Sequence, residues 1–294
     1  MLSYTSCKLC PRRCGVNRTR GEKGFCRMPG QLHVARAAAH YWEEPVISGS
    51  FGSGTVFFSG CTLGCAFCQN EPISHGGVGI PINSARLREL FEKLIDEGVQ
   101  NINLVTPTHF LPSILPALQP KLPVPVVYNC GGYESVETLR QLEGLVDIYL
   151  PDFKYADAAL AAQLSQAPDY PDVAKEAILE MYRQTGPYQI EDDEMRRGVL
   201  IRHLILPGQI DNSLGVLDWI AQQFRPGQVL FSLMSQYVPM GKAAAMPPFD
   251  RTITELEYDA VTSWMELCGI QEGFTQDFTS ASTAYIPPFD PKEL

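Results

Sequence analysis

From residue 54 onward, short apolar runs alternate with amphipathic stretches, and this alternation restricts the fold more than any other feature of the chain. The runs at 55–59, 101–105, 125–129, 146–150, 199–206 and 229–233 read as strands. They are apolar nearly throughout, without polar alternation, which predicts a parallel sheet covered by helices. Between them, Leu87, Leu90, Phe91, Leu94 and Ile95 recur at helical spacing over 84–97, with Gly98 as a stop. Residues 212–224 repeat the pattern with Leu214, Leu217, Ile220, Ala221 and Phe224. Thr254-Glu-Leu-Glu257 reads as a capping box opening a last helix before Gly269. Residues 168–198 read as an insertion between the fourth and fifth strands, with an extra helix over 173–182 and a charged connection over 190–197. The glycine-rich stretches 49–54 and 76–79 read as loops; the first precedes a strand and so fails the dinucleotide fingerprint. Periodicity alone leaves a doubly wound sheet and a barrel equally open.

The first of these strands runs Gly54-Thr-Val-Phe-Phe-Ser-Gly60 directly into Cys61-Thr-Leu-Gly-Cys65-Ala-Phe-Cys68. One short loop thus supplies three thiolates, whereas iron–sulfur clusters normally take four cysteines. A cluster held by three keeps one iron open to a ligand, as catalytic metal sites keep one position open. A zinc knuckle is the plainer alternative for CxxC alone; the longer CxxxCxxC with an aromatic before its third Cys favours a reactive cluster. Upstream, Cys7-Lys-Leu-Cys10-Pro-Arg-Arg-Cys14 and Cys26 make a four-Cys set whose spacing fits no bacterial ferredoxin run. Four thiolates close either a zinc site or a second [4Fe-4S] cluster. Cys130 and Cys268 are left over. Free Cys is commonly a small buried hydrophobe, though Cys130, at a strand end, is also a candidate thiol.

At 294 residues with 45% hydrophobic content, the chain has the length and apolar share of one or two globular domains. The N-terminus lacks a signal-peptide layout and no apolar run approaches the roughly 18 residues of a membrane span. A cytoplasmic protein without a membrane partner is therefore expected, where nine cysteines favour metal ligation over disulfides. Net charge is −10, yet residues 1–50 carry eight basic against three acidic side chains, a net of +5. The acidic remainder disfavours nucleic acid as a partner. The basic head reads as a solvated face or as a contact for a partner or electron donor.

The loop resembles the cluster loop of the radical S-adenosylmethionine (SAM) superfamily, with Phe67 at its aromatic position. Gln69-Asn70-Glu-Pro is similar to the stretch that follows in the pyruvate formate-lyase activating enzyme group. GTVFFSGC, CQN and the Cys-rich head narrow the likeness to the PflX-type activase-like proteins, over residues 5 to 285. The resemblance implies a partly open TIM barrel of about six βα units over residues 51–294, with residues 1–50 as a Cys-rich metal- or cluster-binding extension. It implies a [4Fe-4S] cluster on Cys61, Cys65 and Cys68, the catalytic ligands, with SAM on the open iron. Thr106-Pro-Thr108-His109 stands where activating enzymes carry a Gly-Gly-Glu-like turn, so hydroxyls, carbonyls or His109 would take the cofactor's amino group. Asn129, Asp152, Lys154 and Arg202 match polar strand-end positions near the cofactor, while Gln236 and Tyr237 are expected at its ribose or adenine. Phe67 and Asn70 complete the cofactor set. His33, His40, His75 and His203 read as core or loop histidines.

By the same resemblance, the enzyme cleaves SAM reductively to a 5′-deoxyadenosyl radical. That radical would abstract hydrogen from a glycine of a glycyl-radical enzyme, with an electron donor such as flavodoxin or ferredoxin. The alternatives are a small-molecule substrate, another peptide modification, or a non-catalytic iron–sulfur or zinc protein for electron transfer or scaffolding.

Overall fold

The computed structural model describes residues 2–282 and 287–289. The far end of the expected 51–294 span lies outside them. The described residues form one sheet from β1 (Leu32–His40), β2 (Ser53–Phe58), β3 (Ile80–Ile82), β4 (Ile102–Val105) and β5 (Val126–Cys130). It continues with β6 (Ile148–Pro151), β7 (Gln189–Glu191), β8 (Glu194–Leu204), β9 (Leu230–Met234) and β10 (Gly273–Thr275). Strands β2, β4, β5, β6, β8, β9 and β10 pair in parallel, each beside its predecessor. A doubly wound sheet would reverse its order at a switch point. An order that never reverses is that of a βα barrel. It is open, because its end strands, β10 and β3, do not pair among the described residues.

The connections carry α1 (Pro45–Ser48), α2 (Glu71–Ser74), α3 (Ser84–Asp96), α4 (Leu111–Ile114) and α5 (Val136–Leu139). They also carry α6 (Ala158–Ser165), α7 (Tyr170–Thr185), α8 (Ile210–Gln223) and α9 (Glu255–Leu267). Helix α3 starts where the Asn83 side chain accepts from Arg86 N, and it buries Leu87, Leu90, Phe91 and Leu94 against the sheet. The capping box on α9 is present, with Thr254 and Glu257 bonding each other's backbone.

Three features depart from the sequence reading. Residues 32–40 of the N-terminal stretch are a sheet strand, paired antiparallel with β2 from Val34↔Phe58 to His40↔Ser53. An Ala-rich strand carrying Arg36 gives little β signal, because β propensity reflects fit to a packed pleat. The charged connection over 190–197 is a hairpin of β7 and β8. Asp192 and Asp193 turn it with φ of 52° and 63°, as a two-residue hairpin turn requires. A seventh parallel strand, β10, is only three residues long and follows a polar stretch, so it escaped the pattern.

The segment between β1 and β2 decides where a cavity can lie. Its α1 places Val46 and Ile47 in one apolar cluster with Val127, Ile148, Leu150, Leu200 and Leu230. Those strand residues share a face with Asn129, Asp152, Arg202 and Ser232, two positions further along each strand. The barrel lumen is therefore plugged by α1 toward the N-terminal ends of its strands. Space remains at the C-terminal ends, where barrels keep their chemistry.

Candidate active site

The Cys loop leaves the C-terminal end of β2 and enters this cavity. Cys61, Cys65, Cys68, Phe67 and Asn70 line it, together with Thr106, Asn129, Cys130, Asp152, Lys154, Arg202, Gln236 and Tyr237. Ser165 Oγ donates to Cys65 Sγ at 3.1 Å, Leu63 N donates to Cys61 Sγ at 3.4 Å, and Ser74 Oγ lies 3.2 Å from Cys68 Sγ. Burial, reinforced by Cys65 and Cys61, pushes the Cys68 thiol up to about 12; burial raises Cys61 as well. Metal binding must displace these protons, so loading is expected to be pH-dependent. Among the described residues no set of three or more His, Cys, Asp or Glu side chains stands at metal-holding spacing. Three thiols on one loop, facing one cavity and each within bonding reach of a hydroxyl or amide, nonetheless form a donor set that suits an iron–sulfur cluster.

Opposite the thiols stands a row of charges. Arg202 Nε donates to Asp152 Oδ1 at 2.8 Å, Nη1 to Glu43 Oε2 at 2.9 Å, and Nη2 to Asn129 Oδ1 at 2.7 Å. Lys154 Nζ donates to Asp152 Oδ2 at 2.5 Å. Burial opposes every charge here. The two cations outweigh it at Asp152, whose pKa is lowered, and Asp152 outweighs it at Lys154, whose pKa is raised. At Arg202 the carboxylates of Asp152, Glu44 and Glu43 likewise outweigh burial and hold its pKa up. The row is thus fixed in its ionised form before any ligand arrives, which favours recognition of a charged ligand.

Thr106 ends β4 with φ of 59°, a left-handed conformation that is costly for a β-branched residue. Its amide donates to Asn129 O at 2.8 Å, which ties the ends of β4 and β5 together at the cavity. Asn70 presents a buried Oδ1 without a hydrogen-bond donor, an acceptor left for a ligand. Phe67 and Tyr237 lie ring to ring at 5.9 Å, with Tyr237 anchored by its hydroxyl to Phe249 O at 2.7 Å.

Thr108 and His109 are not brought to the cavity. Both are buried beneath it: Thr108 Oγ1 donates to Glu134 Oε1 at 2.8 Å, and His109 Nε2 lies 2.7 Å from Ser59 O. Burial pushes His109 down to about 3, so it is a neutral core imidazole. Of that turn, only Thr106 faces the space. His203 is a core histidine satisfied by Phe153 O and Ser213, whereas His40 lines the cavity.

The sequence reading missed Glu43 and Glu44. Glu43 Oε1 also accepts from Asn103 Nδ2 at 3.2 Å and Asn129 Nδ2 at 3.1 Å, so it joins β4, β5 and β8 from the plug side. Glu44 is buried with its pKa raised, burial prevailing over nearby Arg202. Their one sequence signal was a pair of acids directly before a proline that opens a helix, a pattern common on surfaces. Glu134 was missed too; burial raises it to about 7 despite bonds from Thr108 and Tyr128.

The N-terminal Cys7, Cys10 and Cys26 are buried and Cys14 is exposed. Phe25 N donates to Cys14 Sγ at 3.4 Å, and a Cβ on Gly24 would meet that sulfur at 2.8 Å. The 24–26 turn therefore packs directly on the 7–14 loop. Cys14 and Cys26 each help to raise the Cys10 pKa, after burial, so the thiols share one neighbourhood.

No family model matches the chain. Among solved structures, methylornithine synthase (PylB) superposes with a TM-score of 0.50 at 14% identity, covering 75% of this chain and 70% of that one. Streptococcus suis SuiB bound to precursor peptide SuiA gives 0.49 at 13% identity, over 74% of this chain and 46% of SuiB. At such identity the likeness to methylornithine synthase is one of fold, and it agrees with the open α/β barrel. The chain thus spans about half of SuiB. The uncharacterized protein MJ0674 of Methanocaldococcus jannaschii is 32% identical over 275 residues, covering 90% of this chain and 74% of that protein. This identity, over most of both chains, leads to one assignment: the chain belongs to the family of MJ0674.

Proposed function

We propose that this chain is a radical SAM enzyme whose cluster is carried by Cys61, Cys65 and Cys68. The observation that carries the reading is the placement of the three-thiol loop, at the C-terminal end of β2, facing Asp152, Lys154 and Arg202 across one cavity. A [4Fe-4S] cluster with one open iron would supply reductive cleavage of SAM and hence a 5′-deoxyadenosyl radical. The chain's part is to bind, orient and exclude water. Lys154 and Arg202 offer charge to the cofactor's carboxylate, and the Asn70 Oδ1 and Thr106 hydroxyl offer acceptors to its amino group. Gln236 and Tyr237 hold the nucleoside, with Phe67 packed on Tyr237. His109 and Thr108 serve as support for the turn.

The substrate read from the resemblance is a peptide glycine in a glycyl-radical enzyme, with flavodoxin or ferredoxin as electron donor. The sheet ends at β10 on one side and β3 on the other, and these end strands do not pair among the described residues, which supports entry of a polypeptide loop. The exposed Trp42, which lines the cavity beside His40 and Glu43, supplies an apolar surface of the kind protein contacts use. The N-terminal cysteines are read as a second metal centre, either a [4Fe-4S] cluster or zinc. No helix among the described residues is long and apolar enough to cross a membrane.

The reading is tested by anaerobic reconstitution of the wild-type chain and the Cys61→Ala/Cys65→Ala/Cys68→Ala variant. The wild type is expected to hold about four more irons than the variant, with a reduced-cluster paramagnetic signal that shifts when SAM is added. Equal iron in both, or a signal indifferent to SAM, would sink the proposal.

A further inference from the structure

The two cysteine sets are in physical contact, and one side chain makes most of the connection. Arg12, between Cys10 and Cys14, donates Nε to Thr62 O at 3.0 Å and Nη2 to Leu63 O at 3.3 Å. Thr62 and Leu63 are the residues that follow Cys61 in the first loop. The same guanidinium donates Nη2 to Ser165 O at 2.8 Å and Nη1 to Gln166 O. Since Ser165 Oγ donates to Cys65 Sγ at 3.1 Å, Arg12 holds both the loop backbone and the backbone of the residue whose hydroxyl bonds one of its sulfurs. Its plane lies over the Phe25 ring, 3.8 Å from the centroid, with Tyr133 at 5.1 Å. Phe25 in turn precedes Cys26. Backbone packing repeats the link: a Cβ on Gly60 would come within 2.7 Å of Cys26 O, and one on Gly64 within 3.3 Å of Phe25.

A second arginine speaks to the charge of the N-terminal set. Arg18 is 1% exposed, with Nε on Met28 O at 3.1 Å, Nη2 on Pro29 O at 2.8 Å and Nη1 on His109 O. It lies over the Tyr4 ring at 4.7 Å and the Phe110 ring at 5.4 Å, Cys7 Sγ stands 3.8 Å from Nη1, and among the described residues it has no carboxylate partner. A buried cation without a counter-charge is strongly disfavoured. Thiolates of a metal-loaded Cys7, Cys10, Cys14 and Cys26 set would supply that counter-charge in place, because metal-bound cysteines are deprotonated.

We infer that metal loading of the N-terminal cysteines is coupled to the geometry of the Cys61–Cys68 loop, with Arg12 as the positioning residue that transmits it. The inference rests on the proposed reading that both sets bind metal. Cys10 and Cys14, held by a shared metal, would fix the backbone that carries Arg12, whose guanidinium holds the carbonyls beside Cys61. A lysine cannot replace it: one ammonium has three donors at a single point, whereas the planar fork reaches four carbonyls.

The test is paramagnetic resonance of the reconstituted, reduced full chain, with and without SAM, on wild type, Arg12→Lys, Arg12→Ala and Cys14→Ser. Iron, sulfide and zinc are counted on the same samples. Arg12→Lys and Arg12→Ala are expected to unfold cooperatively, at a lowered temperature, while in the folded chain the Cys61–Cys68 signal broadens and its response to SAM falls at least tenfold. Cys14→Ser, which removes one N-terminal ligand, should reproduce the change, and the Arg12→Ala/Cys14→Ser pair should add nothing to either alone. Should Arg12→Ala not fold, Arg12→Lys and Cys14→Ser decide. Wild-type spectra and SAM response in Arg12→Lys and Cys14→Ser would overturn the coupling alone. A wild type that loads no iron on Cys61, Cys65 and Cys68 would overturn the proposed function first, and the coupling with it.

Discussion

Arg202 organises the site at the scale of single residues. One guanidinium meets Asp152, Glu43 and Asn129, and its side chain is only 15% exposed. Removing it leaves two carboxylates buried without their main cation, a change that typically costs about 3–5 kcal/mol. Arg202→Gln is therefore expected to destabilise the chain by that order, with a smaller loss at acid pH than at neutral pH. In the wild type the folded-state pKa of Asp152 lies below its ordinary 3.8. Its stabilising contribution is thus present above that pH and is lost as pH falls through the lowered value. In the variant Lys154 alone opposes burial at Asp152, so the Asp152 pKa should rise toward its ordinary value or above it and stability should be better kept at the acid end of the range. Urea unfolding at pH 5 and pH 8 checks this; a loss at pH 5 as large as that at pH 8 would contradict it. The residue scale is also where sequence reading was weakest. Cys61, Cys65 and Cys68 carry their chemistry in their spacing. Glu43 and Glu44 function through contacts with three strands far away in the chain, and no local pattern records such contacts. Thr108 and His109 show the converse, since polar residues after a strand end look alike whether the turn aims them into the cavity or beneath it.

At the scale of elements, strands and long helices were legible because each buries one face, and burial writes itself as periodicity. The α3 and α9 boundaries follow from Asn83 and Thr254 as caps, and the parallel strands from their apolar runs. Short or edge elements were not legible: β3, β7 and β10 span three residues each, too few for a period. The four-residue α1 was hidden for the same reason, although it fills the barrel floor. Ile47 is fully buried there, and its carbonyl accepts from Gln100 Nε2 at 2.8 Å and Asn101 Nδ2 at 2.7 Å. Truncation by Ile47→Ala should cost about 2–5 kcal/mol, as a core cavity does. It should also loosen Glu43 above it, so that affinity for SAM drops along with stability. Calorimetric titration of the reconstituted chain, paired with thermal unfolding, separates the two effects. Full stability in Ile47→Ala would mean that α1 does not plug the lumen.

At the scale of the whole molecule, an open barrel, a plugged lumen and a Cys-rich head converge on one end of the sheet. Strand order without reversal makes it a barrel, and α1 confines the cavity to the C-terminal strand ends. Arg12 and Gly60 then press the N-terminal cysteines against the first loop. Alternation of elements predicted the helix-covered parallel sheet but could not choose between sheet and barrel, since strand order is a long-range property. The central claim is that this arrangement cleaves SAM. The most direct measurement is chromatography for 5′-deoxyadenosine after the anaerobically reconstituted chain is reduced with dithionite in the presence of SAM. The account predicts product that requires the reductant and disappears when Cys61, Cys65 and Cys68 are all replaced by Ala. A chain with its full complement of iron and sulfide, demonstrably reduced, that yields no 5′-deoxyadenosine above the protein-free control would contradict it.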